Sequence, residues 1–388
     1  MDRRMLTRDS TKLRGMVSGS ISRRHSGGFS MVELILALGL GLVVTAGIVQ
    51  LFVGNNQTYS LLTGQSRLQE SARYAMEFIT QSARSAGYFG CDPENDKIYN
   101  TLNGPWTSLY EMDLTNPIQA YNYTGNGTAT GPGDWTPTLA PLPRVAGPAT
   151  NMVNAGTGID LTTVIPGTDF LVFRRVEIPG APIAGIVQPN TNPIVVIDEG
   201  DFDFAVNDFA VISNCEQAAL FRITGVAAGP AAPSGEPTFS LTRGAGAGIY
   251  ENAAGRTLSD EGIPYGTGVN GQATTVGRVI TDIYYIARGA GVNNRGQNPR
   301  ALWRRSGTTA PVELVEGVEN LQVLVGIDNT PTDNNNSANR YIDFNALGAT
   351  DIVRSLRIEV TTSTVDVVTD GNAPVSRTFV QTISMRNA

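Results

Sequence analysis

The chain has 388 residues, a formal net charge of −7, two cysteines and one histidine. The histidine, His25, lies within the first 28 residues, and the cysteines are Cys91 and Cys215. Beyond residue 28 this leaves no histidine triad, no histidine metal site and too few thiolates for a zinc or iron–sulfur site. Walker A and dinucleotide fingerprints are also missing, and no carboxylates pair recognisably, so the expectation is a non-catalytic protein with no cofactor.

Charge is distributed unevenly. Residues 1–28 hold seven basic side chains (Arg3, Arg4, Arg8, Lys12, Arg14, Arg23, Arg24) against Asp2 and Asp9, a net +5 that leaves −12 for the rest. So acidic a remainder argues against direct contact with nucleic acid. Met1, Met5 and Met16 are alternative start positions. From Phe29 to Val53 the sequence is apolar, with Glu33 its only charge. As a helix this run would be roughly 37 Å long, enough to cross a hydrocarbon core of about 30 Å with some tilt. Arg23 and Arg24 would keep its start on the cytoplasmic side. A carboxylate at membrane depth costs about 2.5–3.5 kcal/mol, so Glu33 calls for a functional reason. A plain signal anchor gives none. A secretory signal peptide, with an apolar core of about 7–15 residues, would be shorter than this run.

Residues 54–87 continue the helix with an amphipathic pattern. Leu61, Leu68, Ala72, Ala75, Ile79, Ala83 and Ala86 recur mostly at spacings of three and four, and Arg67, Glu70, Arg73, Glu77 and Arg84 fall between them. Gly87 is the stop signal. Gly39, Gly41, Gly47 and Gly54 weaken the first half, where bending or local melting is expected. Residues 101–158 are rich in Gly, Pro, Thr and Asn and read as irregular loop. Trp106 and Trp135 in this stretch are expected to pack onto their own domain, with surface binding the minor reading. Strand-like segments follow at 169–176, 194–197, 209–212, 219–223, 281–286, 301–304, 321–326, 355–362 and 378–385. The fold class expected is α+β: a long N-terminal helix, then a large, mainly antiparallel β-sheet head over residues 88–388 with long loops. One division of that head is into two lobes, with a boundary near 225–271. Asp328, Asn329 and residues 333–336 supply oxygen ligands, but the EF-hand positions counted from Asp333 hold Ala338 and Phe344, so a polar loop is the default and calcium the lesser reading.

Two sets of residues carry a family resemblance. Gly28-Phe29 followed by Glu33 resembles the class III signal of type IV prepilins. That resemblance implies cleavage after Gly28 by a prepilin peptidase, a methylated Phe29 at the start of a 360-residue mature chain, and an assembly role for Glu33. The patches Gly167–Arg175, Ser213–Ala218, Leu302–Arg305, Glu313–Leu321 and Ser384–Asn387 are similar to the large minor pilins of the PilW family. The implied function is that of a minor pilin which helps to prime a type IV pilus and sits in a minor-pilin complex at or near its tip. Its implied partners are the prepilin peptidase, other minor pilins, the major pilin and, as a further candidate, a tip adhesin. The chain would be a single-pass inner-membrane precursor with its head outside the cytoplasm, and later part of the filament. Rival readings are a minor pseudopilin of a type II secretion system and a membrane-anchored periplasmic enzyme. Outside the cytoplasm Cys91 and Cys215 are expected to form a disulfide, the alternative being two separate buried thiols.

Overall fold

The computed structural model describes residues 28–90, 98–105, 112–127, 131–136, 159–200, 202–214, 216–232, 235–266, 274–307, 309–330, 337–348, 351–368 and 374–385. The chain divides between Asn56 and Gln57 into two units. One helix, α1 (Met31–Ser85), contributes to both. It is α-helical throughout, including the glycine-bearing first half.

In the first unit every described residue is exposed. The apolar side chains from Phe29 to Val53 are exposed; Phe29 is 83% exposed and Leu42 73%. In the second unit the same helix buries Leu68, Ala72, Ala75, Met76, Ile79 and Ala83. The spacing of three and four puts these on one stripe, and the charged positions Arg67, Glu70, Arg73, Glu77 and Arg84 stay on the solvent side. Thus the amphipathic pattern read from the sequence is the pattern that packs.

Seventeen strands follow among the described residues: β1 (Ile98–Asn100), β2 (Ile118–Tyr123), β3 (Trp135–Thr136), β4 (Phe170–Val176), β5 (Ala181–Pro182), β6 (Ile194–Ile197), β7 (Phe209–Ser213), β8 (Ala218–Arg222), β9 (Gly225–Ala228), β10 (Thr238–Thr242), β11 (Thr275–Arg288), β12 (Arg300–Ser306), β13 (Val312–Glu316), β14 (Val318–Asp328), β15 (Arg340–Asp343), β16 (Ile352–Ser363) and β17 (Ser376–Ser384). The largest sheet has ten strands, with β1, β8, β7, β11, β4, β2 and β3 in order and β5, β12 and β13 branching from that path. Its pairings are antiparallel except β1 with β8. A three-stranded sheet has the order β6-β10-β9, and a four-stranded sheet the order β15-β14-β16-β17.

The spine is β11. Its first residues pair with β5 and β7, and its later ones with β4 and β12. The change of neighbours falls at Gly277, where a β-carbon would lie 2.4 Å from Val176 Cγ1. Only glycine fits so close an approach. On either side of this point lies a separate core. One joins Ala75, Met76, Ile79 and Ala83 of α1 to Leu171 and Phe173 of β4, Ile286 of β11, and the inner face of the four-stranded sheet (Leu321, Val323, Ile358, Val360, Ile383). The other lies under the three-stranded sheet and includes Ile194, Val196, Ile212, Phe221 and Leu241.

The stretch 101–158 corrects the sequence reading. Its described part is not all irregular loop: β2 pairs with β4 inside the large sheet, and Leu102, Met112, Leu114, Ala120 and Trp135 are buried. Trp135 donates its indole N–H to Thr168 O at 2.8 Å and stands edge-on to Tyr123 and Phe170, so it is a core residue. Trp106 lies outside the described residues.

Candidate functional site

The N-terminal site is built by the start of α1. Gly28, Phe29 and Ser30 are non-helical, and the first turn opens at Met31, with Leu34 N donating to Ser30 O at 3.1 Å. The Gly28-Phe29 peptide bond therefore lies outside the helical hydrogen-bond ladder. Glu33 sits in the first turn of α1, where a carboxylate complements the partial positive charge of the exposed amides. It is exposed, as are its apolar neighbours Val32, Leu34, Ile35 and Leu36. Around Gly39, Gly41, Gly47 and Gly54 there is open space, so these glycines relieve no crowding within the chain itself. Thr45 donates its hydroxyl to Gly41 O at 2.7 Å, one turn back along the helix. This helix is long and apolar enough to cross a membrane.

Within the second unit the packed half of α1 is held by a polar node that sequence reading missed. Ser82 Oγ donates to Asp282 Oδ2 at 3.2 Å and shares a hydrogen bond with the Tyr284 hydroxyl at 2.8 Å. With the Ser82 proton on Asp282, the single Tyr284 proton goes to Ser82 Oγ or, as the alternative acceptor, to Phe78 O at 3.1 Å, and Arg175 pairs with Asp282. Burial, with the charge of Asp282 beside it, raises the Tyr284 hydroxyl above its ordinary pKa. Two residues of β11, one of β4 and two of α1 are thereby tied together, in a place where every unpaired group would be costly. The only signal in the sequence was polar residues at positions of otherwise apolar strands.

A second node joins the sheets. Asp169 Oδ1 accepts Tyr123 N at 3.0 Å, and Oδ2 accepts Val323 N at 3.0 Å and the Asn122 amide at 3.2 Å. Asp169 N donates to Leu321 O, so the residue before β4 links the large sheet to β14 of the four-stranded one. Burial pushes the Asp169 carboxyl up to about 6, against the pull of its three donors.

Where helix and sheet meet near residues 59–74, a cleft of about 470 Å³ is lined by Tyr59, Arg67, Glu70, Tyr74, Glu316 and Asp366, among others. Among the described residues no three His, Cys, Asp or Glu side chains are placed to hold a metal ion. In the candidate calcium loop Asp328 is engaged by Arg354 at 3.3 Å and by Thr330 N at 3.1 Å, and residues 331–336 lie outside the description. Cys91 and Cys215 also lie outside it. Their neighbours come together, however: a β-carbon built on Gly90 would be 1.7 Å from Ser213 Oγ.

The family model described as type IV pilus-assembly protein W matches residues 283–387, from within β11 to just past β17. No curated protein and no solved structure matches the chain. The match supports a PilW-family type IV pilus protein.

Proposed function

We propose that the chain is a non-catalytic minor pilin, made as a membrane-anchored precursor, cut after Gly28 by a prepilin peptidase and methylated at Phe29. In this reading it joins other minor pilins and the major pilin, helps to prime assembly, and stays at or near the filament tip, where an adhesin is a further candidate partner. The observation that carries the proposal is the two-part nature of α1. Its second half is bound into the head by apolar stripe and polar node. Its first half presents an almost continuous apolar surface whose one charge is an acid in the first turn. Such a surface suits a bilayer first and a bundle of like helices afterwards.

Glu33 then has a physical task. The α-amine of a mature Phe29 is positively charged near neutral pH, and the acid lies one helical turn away. In a low-dielectric bundle the carboxylate neutralises the terminus of its own chain or of a neighbour; the prepilin resemblance favours the neighbour. Removing one member of a buried pair costs about 3–5 kcal/mol. Glu33→Val should therefore insert and be cut after Gly28, yet fail to enter filaments. Normal piliation with the cleaved mutant incorporated would sink the assembly role.

A Cys91–Cys215 disulfide belongs to the same proposal, because it needs an extracytoplasmic head. A loop this long gives about 4–5 kcal/mol in the chain-entropy treatment, an upper bound. Thiol labelling of the denatured, unreduced protein should find no free thiol; two would rule the bond out.

A further inference from the structure

We infer that residues 364–368 form a strap, latched by Asn294, that holds the first turns of the packed half of α1 against the head and opens without unfolding the core. The strap follows β16 and passes over Gly64 of α1. A β-carbon at Gly64 would lie 3.1 Å from Thr364 Cγ2 and 3.2 Å from Val368 Cγ1, so the strap seats on the helix where a side chain is missing. The start of the strap is tied into the sheet: buried Thr364 donates its N–H to Val375 O at 2.9 Å and accepts Val375 N on Oγ1 at 3.2 Å. Farther along it is held from the β11–β12 turn by Asn294, whose side chain pairs with the Val367 backbone as a strand would. Nδ2 donates to Val367 O at 3.1 Å, and Oδ1 accepts Val367 N at 3.2 Å. Asn294 N also donates to Asp366 Oδ1 at 2.8 Å. The turn that carries this latch is fixed in itself, with Asn293 N donating to Gln297 O and Asn293 Oδ1 accepting Arg295 N and Gln297 N.

The helix under the strap is poorly supported by its own sequence. Thr58, Tyr59, Ser60, Thr63, Gly64 and Ser66 are all weaker helix formers than the Ala, Leu and Glu positions farther on. From Gln57 to Arg67 no residue is buried, and Leu61, Thr63 and Gly64 are half-buried; the buried stripe begins at Leu68. The latch consists of exposed hydrogen bonds, which are modest in water, whereas Ala75, Ile79 and Ala83 lie in an apolar core. A segment with few buried contacts opens before the core does. Opening here widens the cleft of about 470 Å³, which residues 59–74 line on one side and 363–368 on another. Residues 57–66 then leave the head while the stripe from Leu68 onward stays packed.

Amide hydrogen exchange of the full chain in detergent, read by mass spectrometry, tests this. In the wild type residues 57–66 should exchange faster than residues 75–83. Asn294→Ala removes both side-chain bonds to Val367 and should speed exchange of 57–66 and 364–368 about tenfold, with 75–83 unchanged. A lock tests the converse. A β-carbon at Gly64 would lie 3.2 and 3.6 Å from the two methyls of Val368, which puts the β-carbons of the two residues about 4 Å apart, the spacing of a disulfide. Gly64→Cys with Val368→Cys, in the Asn294→Ala background, should form that bond, located by peptide mapping. Oxidation should then restore wild-type exchange in 57–66, and the reduced form should stay fast. Exchange in 57–66 unmoved by Asn294→Ala, equal acceleration of 75–83, or cysteines that fail to join or leave 57–66 fast once joined would each overturn the inference.

Discussion

The two halves of α1 are one helix with two kinds of surface. From Met31 to Val53 no side chain is shielded by the rest of the chain, whereas from Leu68 to Ala83 one stripe is buried almost completely. Helix propensity does not separate them, since both halves form α-helix. What separates them is where the apolar residues fall: all round in the first half, every third or fourth position in the second. An all-round apolar helix needs an environment that the chain does not provide. A striped helix needs only a sheet, and here it has two.

That contrast can be broken by substitution. Ile79 is wholly buried between α1 and both sheets, so Ile79→Ala should cost the second unit about 2–5 kcal/mol. Leu42 is exposed, and Leu42→Ala should leave unfolding of the same unit unchanged within about 0.5 kcal/mol. Urea unfolding of the two variants in detergent decides the matter; equal losses would mean that the halves are not energetically distinct.

The Asp169 node sharpens the comparison by adding a pH axis to the second unit. Its folded pKa, about 6, lies above the ordinary value of 3.8 because burial disfavours the charge. The stability that its neutral form contributes is therefore fully present below about pH 4 and is lost as pH rises through 6. The change is at most about 3 kcal/mol at 1.36 kcal/mol per pKa unit. Against Asp169→Asn, which has no charge to bury, the wild type should lose ground between pH 4 and pH 7 in urea titrations. A difference that stays constant across that range would contradict the burial argument.

Much of this was legible in the sequence. Residues 194–197 were read as a strand and are β6 to the residue, and the alternation in 355–362 lies inside β16. Both contain runs of β-branched or alternating residues that declare their faces. Segment 118–123 did not: Gln119, Asn122 and three aromatic or small residues show no alternation, and pairing to β4 and β3 makes it a strand. β11 was read short, as 281–286, because Gly277 and Arg278 interrupt its apolar run; Gly277 is there for the close approach of Val176. The nodes at Asp169 and Asp282 were invisible for another reason. Their partners lie 46–154 and 107–206 residues away, and no local pattern encodes that distance.

The central claim is that the apolar half of α1 begins a processed, transferable anchor, and the N-terminus of the chain tests it most directly. Mass analysis of this protein recovered from sheared filaments should give a chain that starts at Phe29, with a methyl group on its amine. Recovery of the chain in functional filaments with residues 1–28 still attached would contradict the account.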